Sequence, residues 1–180
     1  MKKISLLVLM LISIFVFVGC KKPGTLENVP AIDKEDIFNQ KEDEYFIYFQ
    51  RLDCEDCETA NPYVSLYATT RKEKKSCNNK RPVYTVVLYT QSEKPKDENI
   101  IYREYTGIGG QGTDGKFYVD GVTKWQELYI ASTASLIAIH TKSDGTRYAT
   151  YCAQGSNNVV NYLFDQLGEC TAGWKKRSFG

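Results

Sequence analysis

Residues 44–58 read Glu-Tyr-Phe-Ile-Tyr-Phe-Gln-Arg-Leu-Asp-Cys-Glu-Asp-Cys-Glu, and this stretch decides the fold. Its first part is almost wholly apolar or aromatic, a pattern typical of a strand that is buried on both faces. Cys54 and Cys57 follow as a Cys-x-x-Cys pair and open a segment with helical periodicity. The sequence therefore predicts a buried strand that delivers two cysteines to the N-terminus of a helix.

That position gives the two cysteines a defined chemistry. The N-terminus of a helix presents unpaired N–H groups and a positive potential, and both stabilise a thiolate on Cys54. Cys57 lies one turn further on, close enough to attack a mixed disulfide on Cys54 and release a product. The residues around the pair include four acids: Asp53, Glu55, Asp56 and Glu58. Their charge opposes the thiolate and raises its pKa, which predicts a reducing or poorly oxidising couple.

The remainder of the chain alternates between helical and strand patterns. An apolar stripe predicts that the helix after Cys57 continues to about residue 75, and a second buried strand follows over 82–90. The later elements are two strands joined by a hairpin turn, over 135–140 and 147–152, and a last helix over 157–167 capped by Ser156. Short helices are predicted over 33–41, capped by Asp33, and over 122–130. The pattern is that of an α/β fold.

Taken in order, these segments resemble the thioredoxin superfamily from about residue 33 to 167. Residues 43–57 are similar to the family's first core strand and active site, and Pro62 matches the proline of its active-site helix. Residues 130–137, Ile-Ala-Ser-Thr-Ala-Ser-Leu-Ile, are similar to the family's Ile-x-x-Thr-Pro-Thr-Leu-Ile segment. The resemblance implies a thioredoxin-like α/β fold, with a central mixed β-sheet flanked by helices. It also implies thiol–disulfide exchange, with Cys54 as the nucleophile and Cys57 as the resolving thiol.

Three positions depart from the thioredoxin pattern. Ala134 replaces the proline that lies against the active site, where it and Thr133 are expected to contact the substrate. A cis bond before alanine costs about 3 kcal/mol, so we expect the Thr133–Ala134 bond to be trans. Tyr48 stands where classical thioredoxins keep a buried aspartate that assists the resolving cysteine, and Asp53 where they keep a tryptophan. Proton handling at the site is therefore expected to differ.

The resemblance also places the remaining cysteines of the domain. Cys77 and Cys170 each follow one of the two long helices, whose C-terminal ends meet in this fold. A structural disulfide between them is therefore implied. Cys152 ends a strand next to the last helix and is expected to be a buried free thiol.

The first twenty residues predict export. Lys2 and Lys3 precede an apolar run over 4–18 that is too short to span a bilayer. Residues 17–20, Phe-Val-Gly-Cys, resemble the lipobox of bacterial lipoproteins, with Cys20 as the lipidated residue. A plain signal peptide cut a little further on is the alternative. We therefore expect a signal peptide at 1–19, a lipidated flexible linker at 20–31, a folded domain at 32–170 and a tail at 171–180.

This organisation predicts a protein tethered to the extracytoplasmic face of the cell membrane. Its expected partners are exported protein thiols or disulfides and a membrane-side redox partner. Removal of Lys2 and Lys3 from the 23 basic residues leaves 21 against 22 acidic ones, so nucleic acid is not an expected partner. Six cysteines are present, and lipidation of Cys20 leaves an odd number for the domain.

No cofactor and no metal are expected. Residues 110–115 spell the dinucleotide pattern Gly-x-Gly-x-x-Gly, but a strand or turn pattern follows instead of the required helix. Zinc needs two ligands beyond Cys54 and Cys57, and the single histidine, His140, lies on a strand whose other end approaches the motif. Three interpretations of the pair stay open: redox exchange, an inert binding module of thioredoxin-like fold, and half of a metal site.

Overall fold

A computed structural model describes residues 24–88, 119–130 and 132–171 of the chain. The predicted signal peptide, Cys20 and the glycine pattern at 110–115 lie outside the described residues, as does most of the tail. The strands are β1 (Tyr45–Gln50), β2 (Val83–Val87), β3 (Ser135–Thr141) and β4 (Arg147–Gln154), and the helices are α1 (Glu55–Glu73) and α2 (Ser156–Leu167). Within these described ranges, four 3₁₀ helices cover Lys34–Asp36, Lys75–Cys77, Trp125–Glu127 and Gly168–Thr171.

The four strands form one mixed sheet in the order β2-β1-β3-β4. β1 runs parallel to β2 and antiparallel to β3, and β3 pairs antiparallel with β4 through the hairpin. Phe46 therefore lies between Val83 on one side and Ala138 on the other. The central mixed sheet flanked by helices that the resemblance implies is confirmed.

Both long helices pack on one face of the sheet, and shorter segments cover the other. Phe46 and Tyr48 of β1 contact the helical side, where Val64 of α1 and Val160 of α2 are buried with them. The alternate residues of β1, which are Tyr45, Ile47 and Phe49, are buried in a second core on the opposite face of the sheet. All six residues of β1 are buried, which explains why its sequence lacks the alternation of a half-exposed strand.

The segment before β1 is fixed to the sheet, so the expectation of a flexible linker over 20–31 is wrong for its described part. Ala31 pairs in parallel with Thr85 of β2. The Thr85 N–H donates to Pro30 O at 2.9 Å, and the Ile32 N–H donates to Thr85 O at 2.9 Å. An edge strand has unpaired backbone groups, and residues 30–32 satisfy those of Thr85 in β2. Val29 is buried in the core on the helical side.

Four local predictions need correction. The helices predicted over 33–41 and 122–130 are single 3₁₀ turns, and Asp33 makes no side-chain capping bond. Just after the first turn, the Ile37 carbonyl accepts a hydrogen bond from the buried hydroxyl of Tyr45 at 2.8 Å. Ser156 is the first residue of α2, whose N-cap is Gly155 at φ +80°, a conformation that glycine adopts without steric cost.

The C-terminal ends of α1 and α2 are joined covalently. Cys77 and Cys170, which are 93 residues apart in the sequence, form a disulfide. Cys152 is a free thiol, as expected, and is half-buried. Burial raises the pKa of the Cys152 thiol to about 11, so it stays protonated and unreactive at neutral pH.

Replacement of both Cys77 and Cys170 by alanine is expected to lower the free energy of unfolding by about 2 to 5 kcal/mol, since the cross-link restricts a long loop in the unfolded chain. Urea denaturation followed by circular dichroism measures the loss. Cys152→Ala is the control, and it should cost much less because its side chain is half-buried. A double variant as stable as the parent would contradict the expectation.

Candidate functional site

The site is built on the junction between β1 and α1. The chain leaves the carboxyl end of β1 at Gln50, and Cys54 becomes the N-cap of α1 in an extended conformation, with φ −120° and ψ 109°. Its sulfur forms a disulfide with Cys57 and accepts the Cys57 backbone N–H at 3.1 Å. The sulfur thus occupies the place that a serine or aspartate oxygen takes in an ordinary helix cap.

The two cysteines of this disulfide differ in exposure. Cys57 is completely buried under the helical face of the sheet, whereas Cys54 keeps 4% of its surface exposed. A thiolate attacks a disulfide along the line of the sulfur–sulfur bond, so the approach must be open at the sulfur that is attacked. Of the two cysteines, Cys54 is therefore the one more open to another molecule.

Thr133 and Ala134 form the wall beside Cys54. The Thr133 hydroxyl donates to Cys54 Sγ at 3.2 Å, and the Ala134 carbonyl accepts the Gly155 N–H at 2.9 Å. The expectation of a trans bond between Thr133 and Ala134 is wrong, because the structure has a cis bond there. Hydrogen bonds from Thr133 and to Ala134 hold this segment in the folded chain. The trans preference measured in isolated peptides does not include such contacts.

Tyr48 lies on the helical face of β1, in the same buried cluster as the two cysteines. Its hydroxyl donates to Asn61 Oδ1 at 2.9 Å, and burial raises the pKa of Tyr48 well above its usual range, with the charge of Asp56 acting in the same direction. Tyr48 therefore stays protonated and cannot accept the proton of the Cys57 thiol. Sequence reasoning missed Asn61, although its position one helical turn after Cys57 is a usable signal.

The four acids of the motif do not behave alike. Asp56 accepts two hydrogen bonds from Ser156, from the hydroxyl at 2.6 Å and from the backbone N–H at 3.2 Å, so it links the N-terminus of α2 to the first turn of α1. Asp53 lies 3.8 Å from Arg51 Nε. Glu55 and Glu58 are exposed in the first turn of α1. The sequence predicted the charge of Asp56 but not its partner.

The other residues considered from sequence lie away from this site. His140 stands near the far end of β3, where its ring nitrogens lie 3.2 Å from Glu44 Oε1 and 2.9 Å from Thr150 Oγ1. Among the described residues, no group of three or more His, Cys, Asp or Glu side chains is arranged to hold a metal ion. No helix in the described ranges is long and apolar enough to cross a membrane.

The topology now decides the fold class. A mixed four-stranded sheet carries two helices on one face, and a Cys-x-x-Cys disulfide caps the first of them. The fold is thioredoxin-like. Among solved structures, the chain is similar to the first thioredoxin domain of mouse protein disulfide-isomerase A4, at 12% identity and a TM-score of 0.36, over 91% of this chain and 94% of that one. No family model and no curated protein matches the sequence.

Thr133→Val is expected to raise the pKa of the Cys54 thiol in the reduced protein by about one unit. It removes a hydrogen bond that favours the thiolate, and bonds to charged groups contribute about 1.5 to 3 kcal/mol. The pH dependence of iodoacetamide alkylation at Cys54 measures the pKa. Thr133→Ser keeps the hydroxyl and is the matched control; equal pKa values in the two variants would contradict a role for this bond.

Proposed function

We propose that this protein is a thiol–disulfide oxidoreductase, tethered through lipidated Cys20 to the extracytoplasmic face of the cell membrane and acting on exported proteins. The observation that carries the proposal is the disulfide at the N-cap of α1. The sulfur of Cys54, the more exposed cysteine of the pair, already receives hydrogen bonds from the Cys57 N–H and the Thr133 hydroxyl. These donors remain when the disulfide opens, and they stabilise the negative charge that then develops on Cys54.

The exchange reaction follows from this geometry. With the pair reduced, the Cys54 thiolate attacks a substrate disulfide, a mixed disulfide forms, and one substrate sulfur leaves as a thiolate. Cys57 then loses its proton to solvent or to the departing sulfur and attacks Cys54 Sγ. The second substrate sulfur is released, the substrate has gained two electrons, and the Cys54–Cys57 disulfide is restored. The reverse sequence oxidises a dithiol substrate.

The tether and the compartment rest on the sequence. The charged start, the short apolar run and the lipobox-like residues 17–20 support export and lipidation at Cys20. Disulfide chemistry persists in such compartments, and the Cys77–Cys170 bond suits them. Each turnover leaves the pair in the opposite redox state, so a membrane-side redox partner must reset it. Exported thiols and disulfides are the proposed substrates.

Cys57→Ser is expected to trap substrates as stable mixed disulfides on Cys54, since the resolving thiol is absent. Trapped partners are counted after affinity purification under non-reducing conditions, from cells that express the full-length chain. Cys152→Ser is the matched control, because it also removes one thiol but leaves the pair intact. A Cys57→Ser chain without trapped partners, together with a parent disulfide that dithiothreitol cannot reduce, would contradict the proposal and favour an inert binding module.

The reduction potential of the Cys54–Cys57 pair is expected to lie below about −200 mV, among the reducing couples. Glu55 and Glu58 place negative charge beside Cys54, which disfavours the thiolate and hence the reduced form. Glu55→Gln should therefore raise the potential by about 10 to 30 mV, as measured by equilibration with glutathione. Glu73→Gln, at the other end of α1, is the control and should leave the reduction potential unchanged. A reduction potential of the parent protein above about −150 mV would contradict the reducing assignment.

A further inference from the structure

Gly24, the first described residue, lies at the end of the sheet that carries Cys54, and this end is called the redox end below. The Gly24 carbonyl accepts a hydrogen bond from Gln50 Nε2 at 2.8 Å, and Gln50 is the last residue of β1. Gln50 is completely buried, and its amide also donates to Thr85 Oγ1 at 3.0 Å, so the anchoring group is held in place. Gly24 therefore lies at the carboxyl end of β1, the end from which the chain continues to Cys54.

The side chains around Gly24 also place it at this end of the sheet. A Cβ atom added at Gly24 would lie 2.9 Å from Val87 Cγ2, at the end of β2, and 3.3 Å from Leu52 Cδ2. Leu52 precedes Cys54 by two residues. Gly24 also has φ +77°, which strains any residue with a side chain. Both the space and the backbone require glycine here, so this attachment is a specific docking point.

The chain runs from this point along the sheet edge and returns. Asn28 donates to Thr69 Oγ1 at 2.8 Å and accepts from Lys72 Nζ at 3.0 Å, near the far end of α1. The chain reverses there, and Ala31 pairs with β2. Residues 24–31 are thus held at both ends of the domain, and Gly24, where the described part begins, lies at the end of the sheet that carries Cys54.

We propose that the lipid anchor holds the carboxyl end of β1, from which the chain continues to Cys54, at the membrane surface. The preferred substrates are then disulfides lying next to the membrane in membrane-anchored proteins. The inference rests on the proposed function, because it requires lipidation of Cys20. Only four residue steps separate Cys20 from Gly24, and an extended chain covers at most about 14 Å in that length. The docked segment removes the slack that a free linker over 20–31 would provide.

The surface around Cys54 describes the partner further. Among the described residues, Leu52 is the one large apolar residue that is exposed, at 38% of its surface. It lies against the docking point at Gly24. Beside it, Asp53, Glu55 and Glu58 are exposed acids. Their charge opposes insertion into an anionic bilayer, so the edge faces the water layer above the head groups. The same charge favours substrate segments with basic residues around the target disulfide.

The orientation is tested with the full-length lipidated protein in vesicles of phosphatidylethanolamine and phosphatidylglycerol that contain a nitroxide head-group quencher. A fluorescent coumarin amino acid replaces Leu52 in one variant and Lys41 in the other. Lys41 lies before the start of β1, and its side chain is 84% exposed. The length of β1 alone separates the two labels by about 20 Å. We expect quenching at the Leu52 position to be stronger by about twofold or more, because Leu52 lies against Gly24, which an extended chain keeps within about 14 Å of the anchor.

A second experiment inserts a flexible spacer between the tether and the docking contact at Gly24. Insertion of 20 Gly/Ser residues between Lys22 and Pro23 adds a flexible reach of about 25 Å, which should remove most of the difference between the labels. Mass spectrometry of the N-terminal peptide reports the lipid independently. Equal quenching of both labels on a lipid-bearing chain would overturn the orientation and leave the tethered oxidoreductase intact. A lipid-free Cys20 would overturn the tether, and the orientation with it.

Discussion

The burial of β1 on both faces is the constraint on which the rest of the structure depends. Its aromatic residues serve two cores at once, with Phe46 and Tyr48 under the helices and Tyr45 on the opposite side. A strand fixed between β2 and β3 and covered on both faces cannot shift its register without exposing one set of side chains. The loop that leaves it therefore starts from a rigid point, and Cys54 is placed at the N-cap of α1 with little freedom.

The chemistry at Cys54 is a balance between donors and charges. The Cys57 N–H and the Thr133 hydroxyl favour a thiolate on its sulfur, while the acids in the first turn of α1 disfavour it. The donors contact the sulfur directly in a nearly closed site, whereas Glu55 and Glu58 are exposed and are screened by water and salt. In the proposed exchange, the direct contacts keep Cys54 reactive, and the exposed acids lower the reduction potential and favour basic substrates.

The last helix takes part in the site although it contributes no reactive group. Its first residue, Ser156, binds Asp56 from within the Cys-x-x-Cys motif, and Gly155 binds the carbonyl of Ala134. The wall beside Cys54 and the turn that carries it are thus connected through one helix terminus. At the other end of the molecule, the Cys77–Cys170 bond joins the same two helices. Both ends of the helix pair are fixed, so the separation between Cys54 and Thr133 is maintained.

The sequence by itself determined the buried strand, the cysteine pair, the helix that follows and the closing hairpin and helix. Each of these depends on local periodicity or on short spacing, which neighbouring residues carry directly. The tertiary structure alone decided the roles of Asp56 and Asn61, the cis bond before Ala134 and the docking of residues 24–31. These features depend on groups that are distant in sequence: Asp56 and Ser156 are 100 residues apart, and Gly24 and Gln50 are 26 apart. Short-range patterns fix which elements form, while the contacts that complete the site exist only once the sheet has brought its edges together.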